Sequence, residues 1–386
     1  MEIIVKSIKP SSEGVYLKSI KYLLLFFIFF PYLTLVDTPW SLQPNALFLS
    51  ILLLMSVKHK KINLNILFLL IVGFISIFIS ILTFSNIINS IRSIANYISL
   101  PIIIWAIYII NPSDDKIKII VKFSAIIYIL VAIIQLFVSP GFLSFLVPHQ
   151  GEAEELLLSG RGVASLTPEP SYFGFIMLLY FFLGFLFRDT LLIILSFVSI
   201  FILAQSFTVI TCLAFSTIII LMFKNKTIFL ITISLIFILI IILFSFLNSS
   251  NLDTRSITLM QNIITDGFSS TIDNDASATG RLYHITYPIT SSFSNFLIPF
   301  GYNGLPNGDT RILSGIAGAI YELGFISFLM LYVIYNIIFN KSNLRFNLRL
   351  GIGLGLIIFI LNANQIGMPV FCFILSFLLY TRKLAV

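Results

Sequence analysis

The sequence is divided into long apolar runs separated by short polar stretches, and this division restricts the chain to one class of fold. Two of the runs, 62–83 and 227–247, contain no charged residue. A helix needs about 20 mostly apolar residues to cross a bilayer. Only 10 % of the residues are charged, whereas a soluble domain has about 25 %. The sequence therefore predicts an all-α, polytopic integral membrane protein. It excludes soluble enzymes, nucleic-acid-binding proteins and secreted disulfide scaffolds.

The apolar runs predict about twelve membrane-spanning helices in a single transmembrane domain, 1–386. The predicted spans are 20–36, 41–57, 62–83, 97–110, 119–138, 171–187, 190–204, 206–223, 227–247, 312–339, 350–362 and 366–381. The stretch 190–223 is divided in two because Gln205, Ser206 and Thr208 interrupt its apolar character. Two polar segments, 139–170 and 248–311, are too long for simple turns and are therefore candidates for function.

The distribution of lysine predicts the orientation of these spans. Cytoplasmic loops carry an excess of Lys and Arg, and the lysines at 6, 9, 18 and 21 place the N-terminus in the cytoplasm. With an even number of spans, Arg382 and Lys383 return to the same side. Both termini are then cytoplasmic, and the two long loops face outward.

All cations on the outward side of this topology are arginines. They are Arg92, Arg161, Arg255, Arg281 and Arg311. A guanidinium group is permanently charged and binds phosphate through two parallel hydrogen bonds. One interpretation is an outward vestibule for a diphosphate or an acidic saccharide. The alternative is that each arginine pairs with an outward carboxylate and stabilises the loops.

The most distinctive motif is the segment 161–174, which reads RGVASLTPEPSYFG and leads into the sixth predicted span. Pro168 and Pro170 favour extended backbone at the residues that precede them. Ser171 is expected to cap the helix, with Glu169 near its positive end. Glu169 is then a candidate base or hydroxyl-orienting group. The alternative role for Glu169 is to support the helix terminus and neutralise Arg161.

Two further motifs contain candidate residues. In Thr279-Gly280-Arg281, the glycine permits a tight turn that presents the guanidinium, and His284 follows as a possible proton shuttle or a structural residue. The turn 301–304 precedes Asp309-Thr310-Arg311 and a span that contains Gly315, Gly318 and Glu322. Glycines at 315 and 318 favour close helix packing. Glu322 is expected to face a polar interior, in a functional or a structural role.

No metal site or cofactor is expected. The cysteines Cys212 and Cys372 lie in apolar runs, and the three histidines are scattered. His149 and the nearby glutamates at 152, 154 and 155 are interpreted as a solvated surface.

On these motifs the sequence resembles the bacterial O-antigen polymerases of the Wzy type, which are related to O-antigen ligases and GT-C-type membrane glycosyltransferases. The residues that carry the resemblance are 161–174, Gly280-Arg281, 301–304 and Glu322-Leu323-Gly324. The resemblance implies transfer of a growing glycan from undecaprenyl diphosphate onto a sugar hydroxyl of a second lipid-linked repeat unit. The reaction would take place on the periplasmic face of the inner membrane, without metal or nucleotide sugar.

The resemblance also implies roles for individual residues and partners. The predicted catalytic residues are Glu169, Arg161, Arg281 and His284. The predicted substrate-binding residues are Arg311, Arg255, Arg92, Tyr172 and Tyr302. The expected partners are the undecaprenyl-diphosphate-linked glycan, as both donor and acceptor, the lipid bilayer and a chain-length regulator protein.

Three other functions remain open at the level of sequence. A glycan ligase is the nearest alternative, but related ligases have a histidine where this chain has Asp309-Thr310-Arg311. A flippase or transporter of a lipid-linked saccharide would need polar residues along several spans, whereas polar residues here gather on one side. A scaffold protein would not need the outward arginines.

Overall fold

The structure is a computed structural model that describes residues 15–35, 40–57, 62–83, 86–148, 162–222, 265, 270, 275–339, 344–363 and 365–383. None of these residues forms a β-strand. The helices in order are α1 (Val15–Phe29), α2 (Asn45–Ser56), α3 (Leu64–Leu82), α4 (Ile87–Ile109), α5 (Asp115–Phe137), α6 (Pro170–Phe187), α7 (Thr190–Val198), α8 (Phe207–Met222), α9 (Ala276–Ser294), α10 (Gly315–Leu323), α11 (Ile326–Phe339), α12 (Phe346–Asn362) and α13 (Pro369–Lys383). A 3-10 turn covers Ser144–Leu146, and a π-helical segment, Ser199–Ala204, follows α7.

Within the part of the chain that the structure describes, four helices are long and apolar enough to cross a membrane, namely α3, α4, α5 and α6. Several shorter apolar helices accompany them. The predicted all-helical class is therefore confirmed for the described residues, and the length and apolar composition of these helices are compatible with a membrane protein. The number of spans stays a prediction, and the span predicted at 227–247 lies outside the described residues.

The chain divides into two compact units, and unit 1 comprises Met1–Lys122, His284–Asn343 and Ile360–Val386. Within unit 1, α4 packs against α2, α3 and α13, and α3 also packs against α11. Close packing of α4 and α13 is supported by a polar contact, because the Ser376 hydroxyl donates to the Ile104 carbonyl at 3.1 Å. The helix α4 is therefore central to this unit.

Unit 2 comprises Phe123–Tyr283 and Leu344–Phe359, and its core is α6. Every residue of α6 from Phe173 to Gly184 is buried, as expected of a helix that is apolar on all sides. It packs against α7, the π-helical segment and α8. A glycine on α12 allows a further close approach, since a Cβ atom at Gly355 would lie 2.5 Å from the Ser216 hydroxyl on α8.

Two helix boundaries differ from the sequence prediction. The helix α4 begins at Ile87, ten residues before the predicted span 97–110, and Asn86 caps it by accepting from the backbone N–H of Ile88 at 3.0 Å. The predicted span 312–339 is interrupted at Gly324, which separates α10 from α11. Gly324 has a φ of +57°, and a Cβ atom there would overlap the Leu297 carbonyl oxygen. The chain therefore turns where a continuous helix was predicted.

Part of the predicted outward loop 248–311 is helical. Gly280 lies inside α9, so the tight turn predicted at Thr279-Gly280-Arg281 is wrong. Gly280 is tolerated in the helix at a cost in stability relative to alanine. The predicted interruption near Gln205 is confirmed, because Gln205 has a φ of +46° between the π-helical segment and α8.

Candidate functional site

A polar cavity of about 80 Å³ lies within unit 1, among helices that are otherwise apolar. Two of the predicted outward arginines, Arg92 and Arg311, line it together with the carboxyl group of Glu322. Further lining residues come from α4, α10 and the segments 40–47 and 365–369. This cavity is the candidate functional site.

One face of α4 supplies much of the polar lining. Arg92 and Asn96 are four residues apart, as are Ser93 and Tyr97, and this spacing places all four on one side of the helix. Asn96 also bonds to another part of the lining, because its side-chain oxygen accepts from the backbone N–H of Gly367 at 2.7 Å. The polar face of α4 therefore points towards the cavity and is held there.

Glu322, near the C-terminal end of α10, is hydrogen-bonded to this face of α4. The Tyr97 hydroxyl donates to one carboxylate oxygen at 2.6 Å, and the Ser93 hydroxyl donates to the other at 3.2 Å. Glu322 is half-buried and retains accessible surface in the cavity. The positive charge of Arg92 lies near enough to Glu322 to interact with its carboxylate. The expectation that Glu322 faces a polar interior is met by these contacts.

The segment Asp309-Thr310-Arg311 positions the two arginines at the edge of the cavity. The Arg92 guanidinium donates to the Thr310 carbonyl, and Arg311 donates to the Ser41 hydroxyl at 3.2 Å. The two guanidinium charges are close enough to repel each other. Such a pair is favourable for binding an anion, which would relieve that repulsion.

His284, a predicted proton shuttle, contacts the same segment from α9. Its Nε2 atom lies 3.3 Å from an Asp309 carboxylate oxygen, and its side chain is buried. Burial lowers the pKa of His284 below its usual value, although the negative charge of Asp309 acts in the opposite direction. His284 is not among the residues that line the cavity. His284 therefore contacts Asp309 and does not face the cavity.

Tyr302 and Asn303 attach the segment 301–311 to the helices beneath it. The Tyr302 ring is 1 % exposed, and its hydroxyl donates to the Ser76 carbonyl of α3 at 2.9 Å. Burial raises the pKa of Tyr302, so the hydroxyl stays protonated and remains a donor. The Asn303 side chain accepts from the backbone N–H of Asn86 at 2.9 Å. These contacts fix the position from which Arg311 reaches the cavity.

Close packing at the start of α10 is confirmed at one of its two predicted glycines. A Cβ atom at Gly315 would lie 2.8 Å from the Ala363 carbonyl oxygen, whereas one at Gly318 would lie no closer than 3.5 Å to its neighbours. Only Gly315 therefore requires the absence of a side chain. Ser314 caps this helix by accepting from the backbone N–H of Ala317 at 3.2 Å.

Other predicted site residues lie in unit 2. Glu169 is exposed and is itself the N-cap residue of α6, in the predicted extended conformation with φ −144° and ψ 157°. The expectation that Ser171 caps the helix is wrong, because the helix begins at Pro170; the Ser171 hydroxyl instead donates to Glu169 at 3.3 Å. Tyr172 is half-buried in the first turn.

Arg281 also belongs to unit 2 and is bonded to α8. Its guanidinium donates to the Thr208 hydroxyl at 3.0 Å. Arg161 and Arg255 lie outside the described residues, as do His149 and the glutamates at 152, 154 and 155. Their predicted roles stay predictions.

The segment that follows Arg161 is held by a buried hydrogen-bond network. Gln135 of α5 accepts from the Ser165 backbone N–H at 2.6 Å and donates to the Ser165 and Phe142 carbonyls at 3.1 and 2.9 Å. The Ser165 hydroxyl donates to the Tyr128 carbonyl at 2.6 Å. Val163 bonds to the Leu203 carbonyl at 2.9 Å. The motif 162–170 is therefore fixed at three points before α6 begins.

Sequence reasoning missed Ser93, Asn96 and Tyr97. The helical spacing of the polar residues from Arg92 to Tyr97 indicates one polar helix face. The same residues lower the local hydropathy, so the span is predicted to begin only at residue 97. Among the residues that the structure describes, no group of three or more His, Cys, Asp or Glu side chains is placed to hold a metal ion.

No protein-family model matches this chain, and comparison with curated proteins and with solved structures gives no significant match.

Proposed function

We propose that this protein is a membrane-embedded polysaccharide polymerase that joins lipid-diphosphate-linked repeat units. The observation that carries the proposal is the cavity of unit 1, where Arg92 and Arg311 stand beside a hydrogen-bonded carboxyl group. Ionisable residues within apolar helices are costly and mark functional sites. A cationic pair next to a carboxylate supplies the two functions that glycosyl transfer from a diphosphate requires.

The arginines would bind the diphosphate of the donor. Breaking the bond between sugar and diphosphate places negative charge on the leaving group, and cations positioned for that charge stabilise the transition state. Arginine suits this role because its planar fork matches the geometry of phosphate oxygens. Arg161, Arg255 and Arg281 stay predicted phosphate-binding residues, Glu169 a predicted base or hydroxyl-orienting group, and Tyr172 a predicted substrate-binding residue. Tyr302 is buried and holds the segment 301–311 in place.

The proposed topology has about twelve spans, with both termini in the cytoplasm and the cavity open to the periplasm. It rests on the lysine distribution of the sequence. The segment Asp309-Thr310-Arg311 and the start of α4 then lie on the periplasmic side of the inner membrane. The donor and the acceptor, both linked to undecaprenyl diphosphate, would reach the site laterally from the bilayer, and a chain-length regulator would act as a partner there.

A deletion strain tests this function directly. We expect surface glycan from cells lacking the gene to lose its polymer ladder and to keep a single repeat unit on the lipid anchor. Loss of the single unit together with accumulation of lipid-linked material would instead indicate a ligase or a flippase. Accessibility of that material from the periplasm separates these two, because only a flippase defect retains it on the cytoplasmic side.

Complementation of the same strain tests the arginines. Arg311→Ala and Arg92→Ala should abolish polymer while the protein remains in the membrane, and Arg161→Ala and Arg281→Ala are predicted to do the same. Arg345→Ala is the matched control, since Arg345 is exposed at the start of α12 and on the predicted cytoplasmic side. Normal polymer lengths from the Arg92 and Arg311 variants would refute the role of the cavity.

A further inference from the structure

We propose that Glu322 is the catalytic base that accepts the proton of the attacking sugar hydroxyl. The inference rests on the proposed function and assigns a residue for one step of that reaction. Its basis is the arrangement of Glu322, Ser93 and Tyr97 in the cavity that also holds Arg92 and Arg311.

The carboxylate is positioned by hydrogen bonds that leave it able to accept another. Tyr97 and Ser93 each donate to a different oxygen, at 2.6 and 3.2 Å. An ionised carboxylate has about four acceptor positions, so a substrate hydroxyl can still bind. Because Glu322 lines the cavity, a substrate in the cavity could reach the remaining acceptor positions of the carboxylate.

The surrounding charges favour the form that a base needs. Arg92 interacts with the Glu322 carboxylate, and both donors stabilise the ionised state. Burial of the carboxyl group opposes its charged form, and Arg92 and the two hydroxyl donors offset part of that cost. Glu322 would act as a base from its ionised form. The same arginine faces the leaving diphosphate, so the base and the cation that balances the leaving group lie in one cavity.

The break between α10 and α11 follows two residues after Glu322. Glu322 lies in the last turn of α10, and Gly324 ends the helix by adopting a φ of +57°. The carbonyl of the neighbouring Tyr321 is bonded to the Phe300 backbone N–H at 3.0 Å, and the Phe300 and Tyr321 rings stack at 4.4 Å. These contacts fix the last turn of α10 and therefore the position of Glu322.

The other candidate for proton transfer in unit 1 is less well placed. His284 contacts Asp309 through Nε2 and does not line the cavity. Glu322 is the carboxylate among the cavity-lining residues. Within the described part of unit 1, it is thus the base that a substrate in the cavity would meet.

The chemical step balances without any further reactant. The hydroxyl oxygen of the acceptor sugar forms a bond to the anomeric carbon of the donor glycan. The bond between that carbon and the diphosphate oxygen breaks, and the lipid diphosphate leaves with the electron pair. The hydroxyl proton passes to the Glu322 carboxylate and is then released to water.

The experiment uses purified full-length protein in lipid nanodiscs and lipid-linked repeat units extracted from the deletion strain. We expect Glu322→Gln to lower the rate of chain extension about 10²- to 10⁴-fold, the usual contribution of a general base. Asp115→Asn is the control, because Asp115 is an exposed carboxylate at the start of α5. Thermal stabilisation by inorganic pyrophosphate should persist in Glu322→Gln, since the arginines are intact.

Chemical rescue distinguishes a base from a residue that only joins α10 to α4. The Glu322→Ala variant should regain activity at least tenfold with formate, and the acid limb of its pH–rate profile should differ between formate and acetate. A structural residue would show neither effect. Activity of Glu322→Gln within threefold of the wild type, or absence of rescue in a folded Glu322→Ala variant, overturns the inference.

Tyr97→Phe covers the case in which the Glu322 variants do not fold. It keeps the carboxylate and removes one donor, so the acid limb of the pH–rate profile should move to higher pH. An unchanged acid limb would overturn the inference. If the wild-type protein extends no chains, the proposed function is refuted. If wild type and Glu322→Gln extend chains equally well, the proposed function stands and only the role of Glu322 as base is refuted.

Discussion

A single methyl group at Gly162 should disrupt the motif that precedes α6. Gly162 has a φ of +81°, and a Cβ atom there would lie 2.5 Å from the Leu203 carbonyl oxygen and 2.6 Å from that of Ala204. Both are backbone atoms, so no side-chain rotation relieves the overlap. The neighbouring Val163 donates to the same Leu203 carbonyl at 2.9 Å, and moving the two segments apart would break that bond.

The cost of Gly162→Ala follows from these two effects. A left-handed conformation costs a non-glycine residue roughly 1–2 kcal/mol, and loss of one backbone hydrogen bond costs about 0.5–1.5 kcal/mol. We therefore expect the free energy of unfolding to fall by about 1.5–3.5 kcal/mol. The assay is a denaturant titration of the purified protein in mixed micelles, followed by helical circular dichroism.

Gly280→Ala is the matched control, because Gly280 also stands next to a predicted functional arginine. It lies inside α9, and a Cβ atom there would meet nothing within 4 Å. Alanine in a helix is about 1 kcal/mol more favourable than glycine, so this variant should be equally or more stable than the wild type. Equal stability of Gly162→Ala and Gly280→Ala would refute the reasoning.

Three further outcomes are expected from the packing and the titration of described residues. Gln135→Leu leaves the backbone N–H of buried Ser165 without its acceptor, so the free energy of unfolding should fall by about 1–3 kcal/mol. The control Gln205→Leu replaces a half-buried side chain and should change the free energy of unfolding little. Gly315→Ala should lower thermal stability because of the Ala363 carbonyl, and Gly318→Ala should not. Burial lowers the pKa of His284 in the folded state, so the unfolded state binds more protons below about pH 6.5. Stability should therefore decrease as pH falls below about 6.5 towards the lowered pKa, and His284→Gln should remove part of that decrease in thermal melts.

The class of the fold could be predicted because apolar length is a direct physical requirement of the bilayer. Helix ends were less predictable where polar residues enter a helix. Arg92, Ser93 and Asn96 make the first turns of α4 resemble a loop in hydropathy, although their side chains bond to Thr310, Glu322 and Gly367. Interruption at Gln205 was predictable from a local polar cluster, whereas the break at Gly324 depends on the Leu297 carbonyl, which is distant in sequence.

The candidate site was predictable in its residue types and not in its grouping. The arginine bias of the sequence predicts Arg92 and Arg311 as site residues. It did not pair Arg92 with Thr310, because 218 residues separate them. Glu322 was recognised as costly in an apolar run, but its donors became apparent only when α4 was seen beside α10. The predicted cap, Ser171, is two residues away from the observed cap, Glu169, because a helix can begin directly at a proline such as Pro170.

The separation in sequence between α4 and its polar partners has a consequence for biogenesis. Tyr97 and Glu322 are 225 residues apart, and synthesis proceeds at about 5–20 residues per second. During translation, roughly 10–45 s therefore pass between the synthesis of α4 and the synthesis of the residues that contact its polar face. Over that interval its arginine must be accommodated by water, lipid headgroups or the insertion machinery. The last third of the chain thus completes the burial of a helix made in the first third, and chains that stop before residue 309 would expose this helix to membrane quality control.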